Sequence, residues 1–282
     1  MERSEAHSSQ DLRVRGGRVC RNMMDTQQAV IVGMGQLGRT LGEGFLLNGV
    51  TVNPILRSTP INTALNPKIV IVATGEDDLK PALDKIPESW KERSVVLLQN
   101  ELLPPKWQNS GVIEPTIFVV WFERKAHKPI TALLPSRVYG PRQDMIQAAM
   151  DALEIPCEVA RDQREIFTEL VIKNAYIWAM NIASLEVGKM TTGELHEKHL
   201  SLVEALVEES VAVQNRVMNE SFATKDILPH VIEAMLADTS HNAGGRSAKR
   251  RLERFLAQAN EIGISVPKAQ SIADHNRILS RS

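Results

Sequence analysis

Three glycines with a distinctive spacing follow a short apolar run near the start of the sequence. The run covers residues 29–32, and Gly33, Gly35 and Gly38 come directly after it in a G-x-G-x-x-G pattern, ahead of a helical periodicity. Between a strand and a helix, such glycines allow a tight turn, close approach of a pyrophosphate, and close packing of the helix on the strand. The N–H groups that begin the helix attract phosphate. The pattern predicts a dinucleotide site rather than a plain glycine-rich turn.

The end of the next predicted strand, residues 50–55, indicates which dinucleotide is preferred. NAD sites usually carry Asp or Glu about 20 residues beyond the glycines, but no carboxylate occurs between residues 44 and 75. Arg57 stands there instead, and a guanidinium can hold the 2′-phosphate of NADPH through two donors. The alternative is a solvated surface arginine. We predict NADPH, bound by Gly33, Met34, Gly35, Gln36, Leu37, Gly38, Arg57, Ser58 and, after the third strand, Thr74.

A second feature that could do chemistry is a lysine within an apolar helix. Residues 166–185 are apolar nearly all round, which indicates a largely buried helix. Lys173, Asn181 and Ser184 fall on one stripe of it. Desolvation lowers the pKa of a lysine, which suits proton donation near neutral pH. The alternative is a lysine whose stem packs while its ammonium reaches water, and the residues alone leave both open.

Strands and helices alternate in the first part of the chain, and helices fill the second. Strands are predicted at residues 68–73, 94–98, 116–122 and 130–134, the last two joined by a charged turn, and a helix at residues 76–86. Further helices are predicted at residues 164–187, 193–219, 226–237 and 246–262.

This order predicts an α/β fold with two domains. Residues 27–160 should form a Rossmann domain with a doubly wound sheet, and residues 161–282 an all-α C-terminal domain, with the substrate in the crevice between them. Residues 1–26 are rich in polar residues and lack the apolar core of a secretory signal. We expect that segment to be a disordered tail.

Composition excludes several classes of function. A net charge of -1 gives no electrostatic reason to expect nucleic acid or an anionic membrane as partner. No apolar run approaches the roughly 20 residues that span a bilayer. Two distant cysteines, Cys20 and Cys157, predict neither a disulfide framework nor a metal site. We expect a cytoplasmic protein without a metal that binds a small-molecule substrate, with a homodimer as the candidate assembly.

A dense polar segment at residues 238–247 supplies further candidates for substrate binding. His241 and Arg246 could hold a substrate carboxylate, and Ser247 lies beside them. The alternative is a polar loop between helices that caps the next helix. The basic run at residues 249–251 is interpreted as a solvated helix face.

These motifs, taken together, resemble the ketopantoate reductase (2-dehydropantoate 2-reductase) family, with its helical C-terminal domain of the 6-phosphogluconate dehydrogenase type, from about residue 29 to the end. The features that match are dispersed but in the same order: the G-M-G-Q-L-G loop, Leu56-Arg57, residues 95–100, the Lys173…Asn181 helix, Gly193-Glu194-Leu195, Gly245-Arg246 and residues 263–267. The resemblance implies that Arg57 contacts the 2′-phosphate and that Asn100 lies near the nicotinamide and substrate. It also implies that Lys173 is the general acid and that Asn181 binds substrate.

The chain also departs from the family pattern. The family usually carries a Lys just after the third strand, where this chain has Thr74-Gly75-Glu76. The Asn that the family carries one turn after the catalytic Lys is Ile177 here. Glu101 replaces a Gly. The Glu that holds the substrate hydroxyl in the family, a few residues after Gly-Arg, is absent from residues 247–251. The resemblance therefore implies a divergent member with altered substrate contacts.

The sequence thus predicts an NADPH-dependent reductase of a small 2-oxo acid or related carbonyl compound. Lys173 and Asn100 would be catalytic, and Asn181, Ser184, His241, Arg246 and Ser247 would bind substrate. Two alternatives stay open at this point. One is a regulator that binds NADPH without turnover, and the other is an imine or amino-acid oxidoreductase on the same scaffold.

Overall fold

The structure is a computed structural model that describes residues 27–124 and 129–279. The predicted tail and residues 125–128 of the predicted charged turn lie outside these ranges. Nine strands and ten α-helices are assigned within them. In the described part of the chain, no helix is long and apolar enough to cross a membrane.

Seven strands form one sheet in the order β2-β1-β3-β4-β5-β8-β9. The strands are β1 (Gln28–Val32), β2 (Thr51–Ile55), β3 (Ile69–Val72), β4 (Val95–Leu97), β5 (Thr116–Val119), β8 (Ser136–Tyr139) and β9 (Cys157–Val159). The first five are parallel, β8 runs antiparallel to β5, and β9 is parallel to β8. The carboxyl ends of β1, β3 and β4 therefore meet at one edge, where ligands bind in open α/β sheets.

Helices cover the sheet and fill the rest of the chain. In the first part they are α1 (Gln36–Leu47), α2 (Leu79–Lys85), α3 (Glu88–Lys91), α4 (Pro105–Gln108) and α5 (Gln143–Asp151), with a 3₁₀ turn at Glu76–Asp78 before α2. In the second part they are α6 (Gln163–Val187), α7 (Thr192–Met218), α8 (Thr224–Ala237), α9 (Ala248–Glu261) and α10 (Pro267–Leu279). The predicted α/β class, with helices after the sheet, is confirmed.

Side chains on the two faces of the buried strands belong to two apolar cores, one of which includes the later helices. Ile31 and Ile71 face one side, in a core that includes Phe45 of α1 and Ile146 of α5. Their sequence neighbours face the other side, in a core that continues into α6 and the later helices. Because successive residues of a strand point to opposite faces, the strands must be apolar on both, which is why they read as unbroken apolar runs.

The structure corrects one predicted strand and adds elements that were not predicted. The strand predicted at residues 116–122 is two strands: β5 stays in the main sheet, and β6 (Phe122–Arg124) forms a separate hairpin with β7 (Ile130–Ala132). Val120 and Trp121 between them are buried, so the apolar run did not reveal the break. Helix α10 was not predicted, because its apolar residues are sparse among polar ones.

Candidate cofactor and substrate site

The turn between β1 and α1 has the geometry that a dinucleotide loop requires. Gly33 has a φ of +93°, in the left-handed region that favours glycine, and a Cβ there would lie 2.8 Å from the carbonyl oxygen of Ala73. A Cβ at Gly38 would overlap the carbonyl oxygen of Gly33. A Cβ at Gly35 would meet nothing described within 4 Å. The loop is therefore tight at its first and third glycines and open at the second, where the pattern predicts the pyrophosphate.

The beginning of α1 is suited to an anion. Its N-cap, Gly35, offers no side-chain acceptor, and the first turn contains no acidic residue. The first N–H groups and the positive end of the helix dipole thus lie at the open part of the loop. Beside Gly33, the buried Oγ1 of Thr74 has no hydrogen-bond partner among the described residues. Open space, unpaired N–H groups and an unpaired hydroxyl fit the phosphates of a nicotinamide dinucleotide.

The other predicted cofactor residues surround this loop. The carbonyl oxygen of Met34 accepts a hydrogen bond of 3.1 Å from Nε of Arg39, which places a second arginine beside the loop. Gln36 is exposed, and Leu37 is half-buried on α1. Arg39 was not singled out in the sequence, because the dinucleotide pattern ends at Gly38.

Arg57 follows β2 at the same edge of the sheet. Its side chain is 91% exposed, and Nη2 donates a hydrogen bond of 2.9 Å to Oδ2 of Asp78, in the 3₁₀ turn. Ser58 beside it is also exposed. An exposed ion pair contributes about 0–1 kcal/mol, so this pair would offer little resistance to a phosphate. The phosphate contact of Arg57 stays a prediction.

Lys173 lies on α6 above an aromatic surface. Its Nζ is 4.0 Å from the ring centre of Trp121 and 5.7 Å from that of Tyr176. Among the described residues it has no hydrogen bond or ion pair. Burial, and to a smaller extent the positive charge of Arg251, lower the pKa of Lys173 to about 7. Burial raises the pKa of Tyr176 to about 12, so of this pair only Lys173 titrates near neutral pH.

Asn100 follows β4 and is linked to the helical part through a carboxylate. Gln99 fixes this segment, because its Nε2 donates to the carbonyl oxygens of Val72 and Thr74 at 2.6 and 3.2 Å. Nδ2 of Asn100 donates to Oε1 of Glu76 at 3.2 Å. The same oxygen accepts a hydrogen bond of 3.0 Å from Nη2 of Arg251, on α9.

A second arginine of α9 holds the residue after Asn100. Nε and Nη2 of Arg254 bind the two carboxylate oxygens of Glu101 at 2.8 and 2.7 Å, and Nη1 reaches Asp77 at 3.2 Å. Glu101 is 1% exposed and has a φ of +58°, a region that favours glycine. The left-handed backbone at this position explains why the family that the sequence resembles carries Gly there. Here the ion pair with Arg254 holds a glutamate in that conformation.

The two other residues of the Lys173 stripe are engaged in contacts within the protein. Nδ2 of Asn181 donates to the carbonyl oxygen of Ile177 at 2.8 Å, and its Oδ1 accepts from the N–H of Gly245 at 3.3 Å. Oγ of Ser184 donates to the carbonyl oxygen of Asn181 at 2.7 Å, and a Cβ at Gly244 would clash with Ser184. These contacts dock the loop before α9 on α6. Substrate binding by Asn181 and Ser184 stays a prediction.

The structure separates the three candidates of the polar segment. Nδ1 of His241 lies 4.0 Å from Oε1 of Glu123, on β6, and Arg246 is exposed. Ser247 is the N-cap residue of α9, and its Oγ accepts a hydrogen bond of 3.0 Å from Nε of Arg251. Of the three, Ser247 is thus connected to Asn100, through Arg251 and Glu76.

A cavity of about 800 Å³ lies elsewhere in the molecule. It is located at the amino end of β5 and the beginning of α6, and its walls include Trp107, Tyr139 and Phe167. None of the candidate site residues lines it, and it is at the edge of the sheet opposite to the glycine loop.

Solved structures with this architecture are numerous, although the sequences have diverged. A 2-dehydropantoate 2-reductase from Methylococcus capsulatus is 15% identical, with a TM-score of 0.66 over 90% of this chain and 96% of that one. A dimeric ketopantoate reductase from Staphylococcus aureus is 12% identical, with a TM-score of 0.60 over 89% and 98%. The chain has the ketopantoate reductase fold. The resemblance seen in the sequence is confirmed at this level.

A third neighbour with this fold is a D-mandelate dehydrogenase in complex with NADH. It is 13% identical, with a TM-score of 0.63 over 88% of this chain and 97% of that one. No protein-family model matches the chain, and the search of curated proteins gives no match either. At these identities the three neighbours establish the fold.

The charged residues of α9 are the main feature of the site that was not predicted from the sequence. The run at residues 249–251 was interpreted as a solvated face, and this is wrong for Arg251, which is 8% exposed. Lys249 and Arg250 are exposed as expected. Helical periodicity provided a signal, because Arg251 shares a face with the buried Ala248 and Phe255, three residues before it and four after it.

Proposed function

We propose that the protein reduces a small 2-oxo acid, or a related carbonyl compound, with NADPH as the hydride donor. The observation that carries this proposal is the amine of Lys173. It lies over Trp121 without a hydrogen bond or ion pair among the described residues, and its pKa of about 7 suits an acid that works near neutral pH. The open glycine loop and the oxidoreductases that share the fold support a nicotinamide cofactor.

The residues around Lys173 suggest how the reduction would proceed. The bound nicotinamide would supply a hydride to the carbonyl carbon. Lys173 would donate a proton from Nζ to the carbonyl oxygen as the C=O π bond breaks, and the neutral amine would then regain a proton from water. Asn100 would orient the substrate. The product is a 2-hydroxy acid, formed by adding one hydride and one proton across the carbonyl group.

The choice of NADPH rests on the end of β2. No Asp or Glu follows this strand in the sequence where NAD sites usually carry one, and the guanidinium of Arg57 is exposed at this edge, paired with Asp78. A 2′-phosphate would compete with Asp78 for that guanidinium. Because the phosphate carries more charge and can bind two donors at once, we expect it to prevail.

The direct test is consumption of NADPH by the purified full chain with a panel of 2-oxo acids and imines. We expect turnover with at least one 2-oxo acid, and loss of most of that turnover in Lys173→Met. Binding of NADPH without consumption across the panel would favour the regulator instead. Turnover of imines alone would favour the imine or amino-acid oxidoreductase.

We also propose a homodimer as the assembly, as expected from the sequence. The Staphylococcus aureus enzyme with this fold is described as dimeric. Sedimentation of the purified full chain would give the mass directly, and a monomer at all concentrations would contradict this proposal.

A further inference from the structure

Arg251 is a buried cation at the boundary between the sheet and the helices. Its side chain is 10% exposed, although arginine is almost never buried unless it is paired. It lies on α9, which packs on α6 through the rings of Phe255 and Trp178, 5.0 Å apart. The groups that contact its guanidinium therefore determine which ligand Arg251 can bind.

The guanidinium of Arg251 uses only part of its hydrogen-bonding capacity within the protein. Nε donates to Oγ of Ser247 and Nη2 to Oε1 of Glu76, both at 3.0 Å. The remaining nitrogen, Nη1, is buried without a hydrogen-bond partner among the described residues. Its nearest carboxylate oxygen, Oε1 of Glu101, is 3.7 Å away, and Glu101 is held by both donors of Arg254. A buried donor without an acceptor is unfavourable, so Nη1 is available for an anionic ligand.

The segment 100–102 connects the surroundings of Arg251 to α6, the helix that carries Lys173. Arg251 is joined to Asn100 through Glu76. On the α6 side, the neighbour of Lys173 in the sequence, Asn174, donates a hydrogen bond of 3.0 Å to the carbonyl oxygen of Leu102. The segment 100–102 is thus held from both sides, and the positive charge of Arg251 is near enough to Lys173 to lower the pKa of that lysine.

We propose that Arg251 binds the carboxylate of the substrate and that Glu76 and Ser247 position its guanidinium for this role. The inference rests on the proposed reduction of a 2-oxo acid and adds the residue that selects the acid. A carboxylate on Arg251 would direct the adjacent carbonyl group toward Lys173 and Asn100. Glu76 balances the charge of Arg251 while the site is empty, and Nη1 supplies a donor that has no acceptor among the described residues.

This role differs from that of a strut that only joins the two parts of the chain. Loss of a strut would affect all substrates alike, whereas loss of an anchor discriminates between a 2-oxo acid and its methyl ester. The chain offers a matched control next to Arg251. Arg250 is an exposed arginine of the same helix, paired with Asp77 at 2.9 Å.

The test compares Arg251→Gln, Arg251→Lys and the control Arg250→Gln in the full chain, on the best 2-oxo acid and its methyl ester. We expect Arg251→Gln to lower kcat/KM for the acid about 10- to 100-fold, mainly through KM, and to leave the ester unchanged. Arg251→Lys keeps the charge but loses the fork, so it should recover part of the loss. Arg250→Gln should behave as the unmutated protein. Equal losses for acid and ester in Arg251→Gln, with NADPH affinity retained, would overturn the proposal.

A binding experiment separates this inference from the proposed function. Oxamate is an unreactive analogue of a 2-oxo acid, and calorimetry in the presence of NADPH measures its affinity whether or not turnover occurs. Oxamate binding that is lost in Arg251→Gln and kept in Arg250→Gln would support the anchor even if no substrate is reduced. Turnover of a 2-oxo acid with oxamate affinity unchanged in Arg251→Gln would leave the reductase standing and reject the anchor. If oxamate fails to bind the unmutated protein, the anchor is rejected as well.

Discussion

Nη2 of Arg251 donates a hydrogen bond of 3.0 Å to Oε1 of Glu76, joining α9 to the turn that follows β3. In the family that the sequence resembles, a Lys usually follows the third strand, and a Glu lies on the helical side. Here the acid is on the sheet side and a base is on the helical side. The two departures noted in the sequence, at residues 74–76 and at residues 247–251, are therefore in direct contact.

The Glu76–Arg251 pair should be energetically coupled, because both side chains are largely buried, at 17% and 10% exposure. Removing one partner leaves the other charge poorly compensated. Glu76→Gln and Arg251→Gln should each destabilise the protein, and the double variant should lose less than their sum by about 1–3 kcal/mol. Urea unfolding of the four proteins gives the coupling, and strictly additive losses would show that the pair acts independently.

Cofactor preference should depend on Arg57. Losing a charge-assisted phosphate contact costs about 1.5–3 kcal/mol, so Arg57→Ala should weaken NADPH binding about tenfold or more and leave NADH almost unaffected. Asp78→Asn frees the guanidinium from an exposed pair and should tighten NADPH only slightly. Calorimetric titration with both cofactors is the measurement. Equal affinities in the unmutated protein would refute the preference.

Two glycines of the loop should respond differently to the same substitution. At Gly35 a methyl group meets no described atom, so Gly35→Ala should keep its thermal stability while losing affinity for the dinucleotide. At Gly38 the methyl group overlaps the backbone of Gly33, so Gly38→Ala should be destabilised by about 1–3 kcal/mol or more. Thermal unfolding and NADPH titration of both variants provide the comparison. A Gly35→Ala protein that binds NADPH normally would place the pyrophosphate elsewhere.

Ketopantoate should be a poor substrate. The family's Glu for the substrate hydroxyl is absent from residues 247–251. This segment instead provides Ser247 and Arg251, which are hydrogen-bonded to each other. Lys249 is exposed and lies in a groove with Leu185 and Asn276, near α10. We expect another 2-oxo acid, without that hydroxyl, to give a higher kcat/KM in steady-state assays. The highest value with ketopantoate would contradict this expectation.

The sequence predicted those parts of the site that depend on local pattern. The glycine spacing and the apolar strands constrain their own neighbourhoods, so the loop and the α/β order could be foreseen. The ion pairs from Glu76 and Glu101 to α9 join residues more than 150 positions apart. No local pattern encodes such a pairing, and a run of Lys and Arg reads as a solvated face until the partner carboxylates are known.

The last prediction concerns Lys173, whose pKa is lowered to about 7 by burial and by Arg251. A general acid must be protonated, so kcat should fall as the pH rises above about 7. Lys173→Ala should lower kcat by about 10²–10⁴ and leave NADPH affinity nearly unchanged, because the lysine contacts Trp121 and not the glycine loop. Stopped-flow measurement of NADPH consumption across the pH range checks both expectations.

Lys173→Met separates chemistry from packing, because it keeps the stem and removes the charge. The unfolded chain binds a proton at Lys173 up to its usual pKa of 10.5 and the folded chain only up to about 7, so the lysine destabilises the fold fully below pH 7. That penalty should disappear as the pH rises toward 10.5. Lys173→Met should therefore be the more stable protein near pH 6, with an advantage in urea unfolding that shrinks by pH 10, although its turnover is lost. Full turnover in this variant would mean that Lys173 only packs its stem and that the proton comes from another group.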